Sequence, residues 1–180
     1  LPGRPGGAPH PAAPRSPRRS SHAAVKLSEV LVESAILLDL EGHTKWEAIE
    51  ILTDRLVATD QVANEHREVV LAALMAREKS MSTGMEQGIA IPHTSVDQVQ
   101  SAAVALGIAR NGIDFESIDG RPTQLVILLV NPANQTKAHI RTLAEIARLL
   151  SSADLRSALV QADSPGGVLR TIRVAEAAVA

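Results

Sequence analysis

The sequence predicts an α/β (α+β) domain, a mixed β-sheet of about five strands flanked by helices on both faces. Three observations carry this. Thr123–Val130 is almost continuously aliphatic, as a central strand covered on both sides must be. Segments with apolar residues at helical spacing lie before and after it along the chain. Short apolar runs bounded by glycine or proline recur between those segments, so strands and helices share one layered core. With 180 residues, 45% of them apolar, the chain can form one such domain but not two of ordinary size.

Residues 1–24 stand apart from it. They hold six prolines (Pro2, Pro5, Pro9, Pro11, Pro14 and Pro17) and little that could be buried, so a disordered, dispensable Pro/Gly/Arg-rich tail is expected. The tail has no apolar core of the kind a secretory signal needs. The domain is expected over 25–180. Leu27, Val30, Leu31 and Ser34 open a short helical or turn-like segment, and Ile36-Leu37-Leu38 suggests a short strand. Thr44 and Glu47 have capping-box spacing, and Ala48, Ile49, Leu52 and Leu56 follow at helical intervals, giving a helix over 45–58. A second helix is expected over 64–79, with Val69, Val70, Ala73, Leu74 and the stem of Arg77 on one face.

Ser80–Gln87 has no period and contains Gly84, which indicates a loop. Gly88–Ile91 forms a short buried strand that Pro92 ends, because proline donates no ladder hydrogen bond and holds Ile91 extended. Ala102–Ala109 is another strand. Asn111-Gly112 and Asp119-Gly120 are turn signals around a short Ile113–Phe115 segment. Asn131-Pro132 breaks the central strand, and Thr136 is placed to cap a helix over 137–151 that buries Ile140, Leu143, Ala144, Ala147 and Leu150. A helix near 153–161 and another from Pro165, after a capping Ser164, close the chain. No internal repeat is visible.

Composition excludes several functions. The formal charge is −2, but the first 26 residues carry five bases and no acid, which leaves 13 bases against 20 acids, a net −7, on the rest. An acidic body argues against nucleic-acid binding. Trp46 and Phe115 are the only aromatic residues, too few for a stacking platform. Without cysteine there is no disulfide framework, thiolate metal site or catalytic thiol. The longest aliphatic run, Leu125–Val130, is far short of the roughly 20 residues of a spanning helix. A soluble cytoplasmic domain without membrane insertion is expected.

Of six histidines, His10, His22, His43 and His66 read as solvated surface residues. His93 lies at the carboxyl end of a strand, where ligands and reactive groups gather in α/β sheets. On the residues alone it is either a functional group or an ordinary loop histidine. No nucleophile elbow, phosphate loop or other nucleotide fingerprint accompanies it. His93 and Asp97 have i, i+4 spacing, so a metal-dependent hydrolase on His93, Asp97 and His139 is one alternative, though a full ligand set is not assured. A lone histidine can instead accept a phosphoryl group covalently, with no cofactor if the donor is already activated. It then needs donors for the phosphoryl oxygens. His139, in a helix's first turn, is the natural second member, since that helix end favours an anion. Arg77 could balance charge, although its position near a helix C-terminus offers a blander account. Ser82 and Thr83 are candidate donors from the loop.

The run Arg77-Glu78-Lys79, Ser82-Thr83-Gly84, Gly88-Ile89-Ala90-Ile91-Pro92-His93 closely resembles the active-site signature of type-2 (fructose/mannitol-family) IIA domains of the bacterial phosphoenolpyruvate-dependent phosphotransferase system. Phe115–Gly120, Leu125–Val130 and Pro132–His139 fit the same family, and Gln135–His139 resembles its nitrogen-regulatory branch. The similarity spans about 25–175. It implies a mixed sheet flanked by helices and a phosphocarrier. His93 would accept a phosphoryl group from a phosphorylated HPr or its nitrogen-type counterpart. His139 would hydrogen-bond that group, Arg77 would line the site, and Asp119 would hold a turn. Sugar-type members pass the group to a cysteine of a IIB domain. Lacking cysteine, this chain would need a separate IIB protein, and no fused IIB, IIC or HPr-like domain is expected within 180 residues. A regulatory member would instead use the charge as a switch on a transporter or kinase. The alternative is a binding module that kept the fold and lost the relay. Rim residues for partners would include Met85 and the neighbourhood of Ile89 and Ile91, although core packing explains those isoleucines better.

Overall fold

A computed structural model describes residues 25–179; the expected tail, with His10 and His22, lies outside the described residues, as does the domain's last residue. Its centre is a five-stranded mixed sheet. The strands are β1 (Leu31–Leu37), β2 (Ile89–Ala90), β3 (His93–Val96), β4 (Ala103–Ile113) and β5 (Thr123–Pro132). β1 runs parallel to β4, β4 antiparallel to β5, and β2 and β3 both parallel to β5. Leu125 through Val130 are all essentially inaccessible, which fits the expectation of a fully covered central strand.

Helices α1 (Leu27–Val30), α2 (Lys45–Ala58), α3 (Arg67–Ser80), α4 (Thr136–Leu150), α5 (Ala153–Val160) and α6 (Pro165–Ala178) flank the sheet. α2 packs on α3, while α5 contacts both α4 and α6, and each group also meets the strands. Local signals place the caps of α2 and α6. Thr44 Oγ1 accepts from Glu47 N while the Glu47 carboxylate accepts from Thr44 N, the reciprocal capping box. Ser164 Oγ accepts from Gly167 N ahead of Pro165 at the helix start.

Several expectations change. β1 starts at Leu31, so the opening helix is a single turn and the strand extends well before Ile36. Asn111-Gly112 is not a turn: β4 runs through it, with a register shift between Ile108 and Ile113 and Gly112 at φ 77°. A bulge absorbs the left-handed residue while pairing with β5 resumes at Thr123. Asn131-Pro132 does not break β5, because both residues still pair with Ser95 and Val96 of β3. A 3₁₀ turn, Asn64–His66, precedes α3. α3 turns Val70, Leu74 and Glu78 inward and leaves Val69 exposed. The α4 cap is Gln135, without a side-chain bond, so Thr136 is helical and caps nothing. The buried face of α4 is Thr142, Ile146, Leu149 and Leu150, while Ile140 is 60% exposed. The stripe of Leu143, Ala144 and Ala147 lines a surface groove instead.

Candidate functional site

Pro92 interrupts the sheet edge without ending it. β2 pairs at Leu125 and Val126, and β3 resumes with His93 opposite Leu129. His93 is therefore the first residue of a strand, where a trailing loop position was expected. Leu129 N donates to the Pro92 carbonyl, so the backbone is held on both sides of the imidazole. The His93 ring is half-buried, and its Nδ1 lies 2.7 Å from the Ile91 carbonyl oxygen. A carbonyl can only accept, so Nδ1 carries the proton and Nε2 keeps the lone pair. Burial holds the His93 pKa below histidine's usual value, and the Arg77 charge pushes the same way, against the Ile91 bond and Glu78. That shift favours the neutral ring.

His139 comes from the first turn of α4 and stands against His93 with ring centroids 5.4 Å apart and planes tilted by 46°. Burial lowers its pKa too, and the neighbouring His93 adds to that. Its Nδ1 is 2.6 Å from the amide nitrogen of Asn131, a residue 2% exposed near the end of β5.

Arg77, Ser82, Thr83, Gly84, Met85, Ile91 and His93 line one groove of about 350 Å³ with Ile118 and the outward stripe of α4. Arg77 donates to the Met81 carbonyl at 2.8 Å, which anchors one guanidinium nitrogen and leaves the other donors without a partner among the described residues. The two hydroxyls are committed inside the wall. Ser82 Oγ donates to the Phe115 carbonyl. Thr83 Oγ1 donates to Glu78 at 2.5 Å, and Thr83 N is shared between both Glu78 oxygens at 3.1 Å. The loop bends tightly at Gly84, where an added Cβ would lie 2.6 Å from the Phe115 carbonyl oxygen. Asp119 accepts from Gln87 N at 2.8 Å and Arg121 N at 3.0 Å, tying the glycine loop to the 117–121 turn. Those backbone bonds hold its carboxyl below the usual range.

Behind the loop sits an ion cluster that the sequence did not announce. Lys45 Nζ lies 2.7 Å from Glu116 and 3.4 Å from Glu78. The Lys45 and Glu78 side chains are 6% and 1% exposed. Burial works against the ammonium, but the bonds to Glu116 and Glu78 outweigh it and raise the Lys45 pKa. Glu78 follows Arg77 directly in the sequence, and its burial is made tolerable by the Thr83 donors and by a cation 33 positions earlier.

Of the remaining candidates, Asp97 is exposed and lines a separate depression with Gln135. Among the described residues no three His, Cys, Asp or Glu side chains are grouped to hold a metal ion. A larger depression, about 810 Å³, is lined by Asp39, His43, Glu47 and Arg110, and neither histidine of the pair lines it. Ile89 is buried in the core, whereas Met85 and Ile91 reach the groove. Among the described residues no helix is long and apolar enough to cross a membrane.

Residues 29–174 match the profile of a family described as phosphoenolpyruvate-dependent sugar phosphotransferase system, EIIA 2. Over 148 residues, 82% of its length, the chain is 30% identical to a fructose-specific EIIABC component from Bacillus subtilis, of which it spans only 23%. Its fold is similar to the crystal structure of nitrogen regulatory protein IIA-Ntr from Neisseria meningitidis (TM-score 0.74, 32% identity, 81% of this chain and 97% of the other). It is also similar to a chain in the complex of mannitol enzyme IIA with phosphorylated enzyme IIB from Escherichia coli (TM-score 0.69, 25% identity, 80% and 97%).

Proposed function

Since this chain belongs to the EIIA 2 family of the phosphoenolpyruvate-dependent sugar phosphotransferase system, we propose that it is a cytoplasmic phosphocarrier that accepts a phosphoryl group on His93 from a phosphorylated HPr or nitrogen-type HPr. The observation that carries this reading is the imidazole pair: two half-buried rings 5.4 Å apart, one with its Nδ1 proton engaged by the Ile91 carbonyl.

The chemistry follows from that pairing. Neutral His93 presents the Nε2 lone pair in line with the donor's phosphorus–nitrogen bond. As the new Nε2–P bond forms, the old bond breaks and its electron pair returns to the donor ring. His93 keeps its Nδ1 proton, and the Ile91 carbonyl stabilises the positive charge that the ring gains. His139 and Arg77 supply hydrogen-bond donors and positive charge for the phosphoryl oxygens. Ser82 and Thr83 act one step back, by holding the loop that walls the groove. Prior fixing of these groups supplies the positioning that in-line transfer requires.

A phosphoryl group adds about −1.5 to −2 charge, so partners can distinguish the two states. The onward step goes to a separate IIB protein, as in the mannitol complex, or ends in a charge-dependent contact with a regulated transporter or kinase, in keeping with the likeness to IIA-Ntr. The outward apolar stripe Ile140, Leu143 and Ala147, with Ile118 at 79% exposed, gives visiting proteins a surface beside the rings.

The test is incubation with enzyme I, HPr or its nitrogen counterpart, and labelled phosphoenolpyruvate. Acid-labile label on the wild type that is absent from His93→Ala is the expected result. Wild type that takes no label from any donor overturns the carrier reading in favour of a binding module.

A further inference from the structure

Asn131 is an expensive residue to place where it is. A buried amide loses its hydration and must be compensated by hydrogen bonds. β5 buries it to 2% exposure, between Val130 and Pro132 and in register with Ser95. Among the described residues its side-chain amide has one polar partner, the Nδ1 of His139 at 2.6 Å. Among the described residues no cap or turn bond engages the amide, so the ring is the polar group it serves.

The consequence is chemical. Neutral imidazole has two tautomers, and the partner of one nitrogen decides which nitrogen carries the proton. An amide N–H directed at Nδ1 requires a lone pair there, which leaves the single ring proton on Nε2. We propose that Asn131 is a positioning residue for phosphoryl transfer, fixing His139 as the Nε2–H tautomer so that its only N–H donor is free for an oxygen of the group carried by His93. This rests on the reading of His93 as the acceptor. The two rings then hold opposite tautomers for opposite tasks. A carbonyl holds the His93 proton on Nδ1 and frees a lone pair, while an amide holds the His139 proton on Nε2 and frees a donor. Without Asn131, the fraction of His139 with its proton on Nδ1 would offer the anionic group a lone pair, which repels it.

The test reads the tautomer directly, by long-range proton–nitrogen NMR on ¹⁵N-labelled, unphosphorylated full-length protein at about pH 8, well above histidine's ordinary ~6.5. Wild type is expected to show His139 with a bare Nδ1 and a protonated Nε2. Asn131→Ala should show a mixture of tautomers at His139 and an unchanged His93 pattern. Asn131→Asp should move the His139 proton to Nδ1, because a carboxylate only accepts. Phosphorylation of Asn131→Ala by the carrier should slow by the inverse of the fraction of His139 that keeps its proton on Nε2, about twofold for an even mixture. A wild-type His139 with its proton on Nδ1, or an Asn131→Ala spectrum identical to wild type at His139, overturns the proposal. The wild-type spectrum decides this even if a variant does not fold. If wild type takes no label, the role in transfer falls together with the carrier reading, while the spectrum still decides whether Asn131 sets the tautomer.

Discussion

Replacing Glu78 with glutamine keeps the side chain's shape and removes its charge, at a carboxylate 1% exposed. That carboxylate accepts from Thr83 N, from Thr83 Oγ1 at 2.5 Å, and faces Lys45 Nζ at 3.4 Å. A bond to a charged group is worth about 1 kcal/mol more than its neutral counterpart. Three such contacts give an expected loss of about 2–4 kcal/mol, close to the range for breaking a buried ion pair. Glu116 tempers this only slightly: its side chain is 69% exposed, so its remaining bond to Lys45 contributes under about 1 kcal/mol. The melting temperature should fall roughly 5–10 °C for a chain of this size. Urea denaturation at pH 7 measures the effect, and the double variant Lys45→Met/Glu78→Gln isolates the pair. With the ammonium gone too, the double variant should recover part of the loss and show a coupling energy of about 1–2 kcal/mol. A Glu78→Gln loss below about 0.5 kcal/mol, or a double variant equal to the sum of the singles, refutes the buried pair as the brace of this loop.

Two further outcomes are expected. Both site histidines have native pKa values below their unfolded ones, chiefly through burial, so below about pH 6.5 the unfolded chain takes up protons that the native rings refuse. Stability should therefore decline as pH falls through that value and level off under the native pKa values, and a flat urea midpoint from about pH 8 to 5 refutes this. Ile140→Asp, at a position 60% exposed, should change stability by under about 0.5 kcal/mol while raising the KM for phosphorylation by the carrier several-fold at unchanged kcat; an unchanged KM would remove the α4 stripe from partner docking.

What the sequence disclosed was what short-range chemistry determines. The capping box at Thr44 and Glu47 fixes the start of α2, and a six-residue aliphatic run needs no partner to be recognised as a covered strand. Spacing alone could not orient α4, because that helix carries two apolar stripes and only packing selects the inward one. Asn111-Gly112 has turn chemistry, but pairing with β5 converts it to a bulge. His93 and His139 were legible as chemistry-bearing residues because each sits at an element boundary. Asn131 read only as a strand breaker, since its meaning lies in a ring eight residues later on a different element. Glu78 was missed for the same reason: its neutralising partner lies on another helix.

β5 is the common mount of both rings. It holds one through the ladder at Leu129 and steers the other through the amide of Asn131. Their separation is thus a dimension of the protein's interior and is already set before any visitor arrives. On the proposed carrier reading, donor and acceptor proteins of different shape would meet the same finished socket and be told apart at its rim.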